Sequence, residues 1–161
     1  AEVLIKAGRK HLITIRHEAI SFSEITRTAA FNERAAELGV MTEIIEVRST
    51  GYEGGAATAH EIIARLDKRP GVFCPTDSIA LGLLDALRNK HSIKVPQDLS
   101  LIGYDDIPQA SWAFAELTTI RQSVDDFARI TVNVLKERIK NPGAEPKNKI
   151  VDVKLILRGT V

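Results

Sequence analysis

Two adjacent carboxylates occupy the position in the sequence that most strongly suggests chemistry. Asp105 and Asp106 follow Tyr104, directly after the apolar run Leu99–Gly103. Such a pair could hold a metal ion, act in acid–base catalysis, or accept hydrogen bonds from the hydroxyl groups of a ligand. A carboxylate in this position can equally cap a turn or a short helix. We expect Asp105 to contact a ligand and Asp106 to have a structural role.

Arg27 is the main candidate donor. It falls in the first turn of a predicted helix that opens with a capping-box sequence at Ser21. A guanidinium suits carboxylates, phosphates and vicinal hydroxyls, although a solvated surface arginine would look the same in the sequence. The glycine-rich segment 51–55 lacks the spacing of a phosphate loop. We interpret it as a flexible entry to a helix over Ala56–Leu66, with Tyr52 facing a ligand cleft.

Other kinds of chemistry find little support in the residues. The 161-residue chain has 22 basic and 21 acidic side chains and a formal net charge of +1, which excludes polyanion binding through bulk charge. The single cysteine, Cys74, lies in an apolar strand, and the four histidines lack a metal-binding spacing. Asp77 could supply a further oxygen ligand to a metal ion held by Asp105 and Asp106, but we expect it to cap a helix. Because phosphate-loop, dinucleotide and nucleophile-elbow motifs are missing, we predict no catalytic residue, no cofactor and no metal site.

Strand-like and helix-like segments alternate along the chain. The predicted strands are His11–Arg16, Thr42–Arg48, Val72–Cys74, Leu99–Gly103, Leu117–Gln122 and Val151–Leu157. Helical stripes of apolar residues separate them, and the longest helix runs from Ser123 to about Lys140. This alternation predicts an α/β fold with a mainly parallel sheet. Ligands bind beyond the carboxyl ends of such strands, which points to loops such as Pro75–Asp77 and Tyr104–Asp106.

One predicted helix, Ser78–Asn89, is apolar almost all the way round. A surface helix needs only one apolar face. We therefore expect a second face, formed by Leu81, Leu84 and Arg88, to pack on another subunit and give a homodimer. The alternative is that the helix is deeply buried within a single domain.

Several short motifs occur in a characteristic order. They are Gly8–Ile13 (GRKHLI), Arg27–Phe31 (RTAAF), Pro75–Gly82 (PTDSIALG), Val95–Ile107 (VPQDLSLIGYDDI), Leu117–Gln122 (LTTIRQ) and Leu157–Thr160 (LRGT). Each motif alone is modest, but the ordered set spans nearly the whole chain. Together they resemble the effector-binding region of the lactose-repressor/galactose-repressor (LacI/GalR) family of transcription regulators.

The resemblance implies a regulator with an N-terminal helix-turn-helix, a hinge, and a two-lobed core of the periplasmic-binding-protein-like type. Residues 1–121 would then form the C-terminal effector-binding lobe. Residues 122–145 would form a crossover helix of the N-terminal lobe, and residues 146–161 would return to the C-terminal lobe as a strand. The DNA-binding domain would lie outside this chain, which we expect to be a fragment of a cytoplasmic protein.

The resemblance also implies a set of effector-binding residues. Arg27 matches an arginine that binds effector hydroxyls, Asp105 matches the acidic acceptor, and Gln122 matches a crossover position close to the cleft. Thr76 stands where the family often has asparagine, and Tyr52 lies near a ring-stacking aromatic position. The implied partners are a sugar or sugar derivative, a second copy of the chain, and operator DNA through the helix-turn-helix, with no membrane.

A periplasmic sugar-binding protein of an ATP-binding-cassette (ABC) transporter shares the implied fold and is the main alternative. The motifs at Asp98–Ile107 and Leu117–Gln122 favour the regulator. An enzyme on a doubly wound sheet is a third hypothesis, which the missing catalytic set disfavours. Fold alone would not decide among the three, because one fold can carry many functions.

Overall fold

A computed structural model describes residues 1–17, 21–49, 51–146 and 148–161. The strands are β1 (Leu12–His17), β2 (Thr42–Val47), β3 (Gly71–Phe73), β4 (Ser100–Asp105), β5 (Thr118–Gln122) and β6 (Val153–Ile156). The helices are α1 (Glu2–Lys6), α2 (Phe22–Glu37), α3 (Gly51–Ala57), α4 (Ala59–Ile63), α5 (Asp77–Asp85) and α6 (Val124–Lys140). Shorter helical turns lie at Leu66–Lys68, Ala86–Lys90 and Pro108–Ser111.

The strands form one six-stranded sheet in the order β2-β1-β3-β4-β5-β6. Strands β1 to β5 pair in parallel, and β6 joins the edge antiparallel to β5. The central strands are buried along most of their length because helices cover both faces of the sheet, and Ile13, Val72 and Leu101 are fully buried there. The prediction of an α/β fold with a mainly parallel sheet is confirmed.

Alternate residues of the central strands contribute to two separate cores. Val72 and Leu101 belong to the larger core, which also contains side chains of α4 and α5. Phe73 and Ile102, one position further along the same strands, belong to the smaller core with α1 and α2. Since successive strand residues point to opposite faces, the two cores lie on the two sides of the sheet.

Helix α2 forms as its sequence predicts. The Ser21 hydroxyl accepts a hydrogen bond from the Glu24 amide at 3.3 Å, which caps the first turn. The helix ends at Glu37, and Gly39 follows with a φ of 76°, a conformation that favours glycine. Arg27 therefore lies in the second turn of α2, one turn further in than the sequence suggested.

The interpretation of segment 51–55 as a flexible entry is wrong. This segment forms most of α3, and the helix predicted over Ala56–Leu66 is divided between the end of α3 and α4. The reason is a close crossing of α3 over α5. A Cβ atom at Gly55 would lie 1.9 Å from the carbonyl oxygen of Ile79. Glycine is required because the two backbones nearly touch.

Helix α5 is buried within the single chain. Leu81 and Leu84 are only 8% and 2% exposed, because the sheet covers one side of the helix and α3 covers another. The expectation that these leucines form an uncovered second face is wrong, and the structure shows the buried-helix alternative. Beyond them Arg88 donates hydrogen bonds to the carbonyls of Phe114, at 2.7 Å, and Val95, at 3.1 Å. Participation of this helix in a dimer interface stays a prediction.

Helix α6 is present where the sequence predicts it, and the Ser123 hydroxyl caps it by accepting from the Asp126 amide at 3.2 Å. None of its 17 residues, all of which the structure describes, is buried. Phe127 and Leu135, on its apolar stripe, are 63% and 55% exposed. Among the described residues, no helix combines the length and apolar character that crossing a membrane requires.

Candidate functional site

The turn that follows β4 has an unusual backbone. Asp105 has a φ of 120° and Asp106 a φ of 55°. Residues other than glycine rarely adopt positive φ, and each such residue costs on the order of 1–3 kcal/mol unless its surroundings enforce it. Strain of this kind commonly occurs at binding sites, so the contacts that hold the turn are the natural place to look for function.

The Asp105 carboxylate is held by two donors from other elements. Its Oδ1 atom lies 3.2 Å from Nη1 of Arg27 and accepts a hydrogen bond from Nε2 of Gln122 at 3.1 Å. Burial raises the pKa of Asp105, and the charge and hydrogen bonds of Arg27 and Gln122 offset only part of that rise. Oδ2 accepts no hydrogen bond from the described residues, which leaves it as an acceptor.

Arg27 is oriented from three directions. Its Nη1 donates to the carbonyl oxygen of Pro75 at 2.8 Å in addition to its contact with Asp105. Its guanidinium carbon lies 3.9 Å from the centre of the Tyr104 ring, a cation–π arrangement. Within the described part of the chain, Nε and Nη2 make no hydrogen bond. The guanidinium is therefore fixed in place with donors to spare.

Asp106 points away from this cluster and is nearly buried, with 6% of its side chain exposed. Its Oδ1 accepts from Nη2 of Arg158 at 2.6 Å, and its Oδ2 accepts from Nε of Arg121. Burial raises the pKa of Asp106, but the hydrogen bonds and charges of the two arginines outweigh burial and hold it below its ordinary value. These contacts agree with the structural role expected of Asp106.

The prediction that Asp77 caps α5 is wrong, because Thr76 does so. The Thr76 hydroxyl accepts from the Ile79 amide at 3.4 Å. Asp77 is fully buried, and its carboxylate accepts from the Ile107 amide at 3.0 Å and from the Thr119 hydroxyl. Burial raises its pKa. Asp77 thus ties the start of α5 to the turn after β4. The Thr76 hydroxyl, which caps the helix, keeps its proton and one lone pair.

Tyr52 does not join the cluster. Its hydroxyl hydrogen-bonds to Asp85, a contact that raises the pKa of Tyr52. It lines a separate concavity of about 460 Å³ together with His60 and His91. In this structure the Tyr52 side chain is directed towards Asp85 at the end of α5 and not towards Arg27, and its role in binding an effector stays a prediction.

Two concave surfaces are bordered by the residues that contact the Asp105 carboxylate. Arg27 and Tyr104 border a mostly apolar groove of about 480 Å³ over β4, β5 and β6. Gln122 borders a second concavity of about 620 Å³, between the start of α6 and β6. The cluster between them offers a carboxylate acceptor, guanidinium donors and an amide, a set that suits a small ligand rich in hydroxyl groups.

Other chemistries have no comparable cluster in the residues that the structure describes. Across those residues, no group of three or more His, Cys, Asp or Glu side chains is placed to bind a metal ion. Cys74 is fully buried, and burial raises the pKa of its thiol. A thiol in that state is a poor nucleophile.

Three of the five sequence-predicted binding residues, Arg27, Asp105 and Gln122, come together in the structure, and their binding of an effector stays a prediction. Tyr104 was missed as a member of the cluster, although its place just before the carboxylates was visible in the sequence. Arg158, in the LRGT motif, was also missed as a contact of Asp106. Only the return of β6 to the sheet brings it there.

Known proteins match this chain over most or all of its length. Residues 1–161 match the periplasmic binding protein-like domain family. The ribose operon repressor of Haemophilus influenzae is 32% identical over 110 residues, which are 68% of this chain and 33% of the repressor. The HTH-type transcriptional repressor PurR of Escherichia fergusonii is 37% identical over 109 residues, which are 68% of this chain and 32% of that protein. The matches thus span about a third of the length of these relatives.

A solved structure extends the match to the fold. A LacI family transcriptional regulator from Enterococcus faecalis V583, with bound ribose, superposes with a TM-score of 0.86 at 26% sequence identity. The match covers 99% of this chain and 57% of that one.

Proposed function

Because the chain belongs to the periplasmic binding protein-like domain family, as the effector-binding region of a LacI/GalR-type regulator, we propose that it senses a small sugar-like effector. The complete protein would be a bacterial transcription repressor that acts in the cytoplasm and is not an enzyme. It would bind operator DNA through a helix-turn-helix that is not part of these 161 residues.

The observation that carries the proposal is the approach of Arg27 and Asp105 to 3.2 Å, with Gln122 bonded to the same carboxylate. A sugar hydroxyl can donate to Oδ2 of Asp105 while a neighbouring hydroxyl accepts from Nε or Nη2 of Arg27. Fixed donors and acceptors at one site select ligands with matching vicinal hydroxyls, because a ligand without them would leave polar groups unpaired.

The same geometry favours a neutral sugar over a phosphate or a nucleobase. The Asp105 carboxylate lies beside Arg27 and would repel a phosphate placed against that guanidinium. The Tyr104 ring already has Arg27 over one face, which restricts stacking of a base there. One relative is a ribose operon repressor and one matching structure contains ribose, so D-ribose is the first probe to use.

The proposed domain organisation assigns residues 1–121 and 146–161 to the effector-binding lobe and residues 122–145 to a helix of the other lobe. The exposed apolar stripe of α6 supports this division, because such a stripe needs a covering surface. Effector bound between the lobes would change their relative angle and the spacing of the DNA-binding domains. It can do so only if it binds the two arrangements with different affinity.

The proposed homodimer would use the surface around Arg88. This residue holds the carbonyl of Phe114, and Phe114 and Trp112 form an exposed edge-to-face pair with ring centres 5.7 Å apart. Exposed aromatic side chains are typical of interface cores.

The test of this interface is the substitution Phe114→Asp, which should convert the dimer to a monomer, as measured by sedimentation. Leu81→Asp would be a poor test, because Leu81 is buried and the variant would unfold. An unchanged dimer in Phe114→Asp would refute this placement.

The test of the effector proposal uses the full-length protein and a panel of sugars, sugar phosphates and nucleobases in thermal-shift and calorimetric titrations. We expect D-ribose or a related sugar to bind, and Arg27→Ala and Asp105→Ala each to abolish binding. Arg65→Ala is the matched control, because Arg65 pairs with Glu43 near the opposite edge of the sheet, away from the cluster.

Three results would contradict parts of the proposal. If Arg27→Ala and Asp105→Ala both leave binding intact, the site is assigned wrongly. If only nucleobases bind, the sugar class is wrong. If a sugar binds without any effect on operator affinity in a gel shift, the transport-receptor alternative is favoured over the repressor.

A further inference from the structure

We infer that Asp106 is a positioning residue for the ligand site: its ion pairs with Arg158 and Arg121 hold the left-handed turn that presents the Asp105 carboxylate. The inference rests on the proposed function, because it assigns Asp106 a role in the site where the effector would bind. Asp106 does not contact that ligand itself, since arginines engage both of its carboxylate oxygens.

The backbone shows why a restraint is needed. Asp105 and Asp106 are consecutive residues with φ values of 120° and 55°. Aspartate tolerates a φ near 55° better than most residues, but a φ of 120° persists in a residue with a Cβ atom only where its surroundings enforce it. Relaxation of either residue to negative φ would redirect the Asp105 carboxylate away from Arg27 and Gln122. The precision of the ligand site therefore depends on what holds the following residue.

Arg158 can provide this restraint because it is itself anchored. Its Nη1 donates to the carbonyl of Leu117 at 2.7 Å, and its backbone amide donates to the Thr118 hydroxyl at 2.9 Å. Its side chain is mostly buried, whereas that of Arg121 is about half exposed. An ion pair that is shielded from solvent is screened less by water and salt, so we expect Arg158 to contribute more than Arg121.

The two arginines also lie on the two connections to α6. Arg121 is on β5, which leads into α6, and Arg158 follows β6, which brings the chain back to the sheet. Asp106 therefore joins the ligand-presenting turn to both ends of the segment that contains α6. A displacement of that segment would act on Asp105 through these ion pairs.

The main experiment measures D-ribose affinity by titration calorimetry in the full-length protein. We expect Asp106→Asn and Arg158→Gln each to weaken binding roughly tenfold or more, the effect of losing a charge-assisted hydrogen bond. Arg158→Lys, which can keep an ion pair, should lie between Arg158→Gln and the parent protein. Glu43→Gln is the matched control, because Glu43 also pairs with two side chains, Arg65 and His11, near the opposite edge of the sheet.

A comparison of double variants separates positioning from a general loss of stability. In the Asp106→Asn background, Asp105→Asn should cost much less affinity than it does in the parent protein, because the carboxylate is already displaced. Additive losses would overturn the inference. So would a loss of affinity in Glu43→Gln as large as that in Asp106→Asn.

Measurements without ligand keep the inference testable if the proposed function fails. Glycine adopts a φ of 55° without strain, so Asp106→Gly should fold while lacking both ion pairs. Hydrogen exchange of the Ile107 amide, which donates to Asp77, should then accelerate by roughly tenfold or more. Unchanged exchange would overturn the inference. If the turn loosens but the parent protein binds no sugar, the restraint is supported and the proposed function is wrong.

Discussion

Helices α5 and α6 both carry many apolar side chains, yet the fold places them in opposite environments. Seven of the nine residues of α5 are buried, including Leu83, which has no exposed surface. In α6, whose 17 residues are all described, none is buried, and Phe127 and Leu135 face solvent. The first helix lies between the sheet and α3, whereas the apolar stripe of the second meets no comparable surface in the described part of the chain.

The difference shows that an apolar pattern predicts a covered helix face but does not say what covers it. Isolated helices of this length are marginal in water, so most of their stability comes from packing. Helix α5 obtains that packing from this chain. Helix α6 would obtain it from the other lobe under the proposed domain organisation.

The substitution with the largest expected effect on stability tests the close crossing of α3 over α5. A Cβ atom at Gly82 would lie 1.9 Å from the carbonyl oxygen of Tyr52, so Gly82→Ala must displace α3. We expect a loss of about 3 kcal/mol or more in the free energy of unfolding, measured by urea denaturation. Gly143→Ala, where nothing lies within 4 Å of the added atom, is the control and should change it by less than about 0.5 kcal/mol. Equal urea midpoints would contradict the close crossing.

A matched pair of leucine truncations compares the two helices directly. Leu83→Ala removes a fully buried side chain of α5 and should cost about 2–5 kcal/mol. Leu135→Ala removes a side chain of α6 that is 55% exposed and should cost less than about 0.5 kcal/mol in this chain. Urea denaturation of both variants checks the prediction. Similar losses of stability in the two variants would mean that Leu135 packs against another surface.

Hydrogen exchange should separate the helices without any substitution. Because buried contacts resist local opening, the amides of α5 should exchange at least about tenfold more slowly than those of α6 in a monomer of this chain. Exchange read out by mass spectrometry or NMR would show the ratio. Uniformly slow exchange through α6 would contradict the view that it lacks a packing partner here.

The smallest expected effects on the free energy of unfolding come from Asp77 and Asp126, which lie in the first turns of α5 and α6. Burial raises the pKa of Asp77, so its contribution to stability is complete below the unfolded-state pKa and is lost as the pH rises through the folded-state pKa. A hydrogen bond from Arg129 lowers the pKa of Asp126, so its contribution is present above the unfolded-state pKa and lost as the pH falls through the folded-state pKa.

These opposite dependences can be measured through the free energy of unfolding as a function of pH. Asp77→Asn should remove a component that declines as the pH rises above about 4, by less than about 1.4 kcal/mol per pH unit. Asp126→Asn should remove only the part of the pH dependence that lies below about pH 4. A decline of the same size in both the parent and Asp77→Asn would show that Asp77 does not titrate as its burial implies.

Much of the fold followed from local sequence signals. Period-two and continuous apolar runs located six strands, and the capping residues Ser21 and Ser123 marked the starts of two helices. The family resemblance, carried by motifs that are short and separated, is confirmed by the match over residues 1–161. Where the sequence misled, the error had a physical cause. Glycines usually indicate flexibility, but in α3 and α5 they permit two backbones to touch.

The sequence by itself determined the alternation of strands and helices, the parallel sheet and the edge at which Asp105 appears, because these depend on local periodicity and on the handedness of βαβ connections. Only the tertiary structure decided that Leu81 and Leu84 are covered, that Tyr52 turns away from the cluster, and that Arg158 reaches Asp106. Each of these depends on contacts between residues far apart in the chain. Such contacts depend on how helices and strands pack against one another, and a local sequence pattern does not determine that packing.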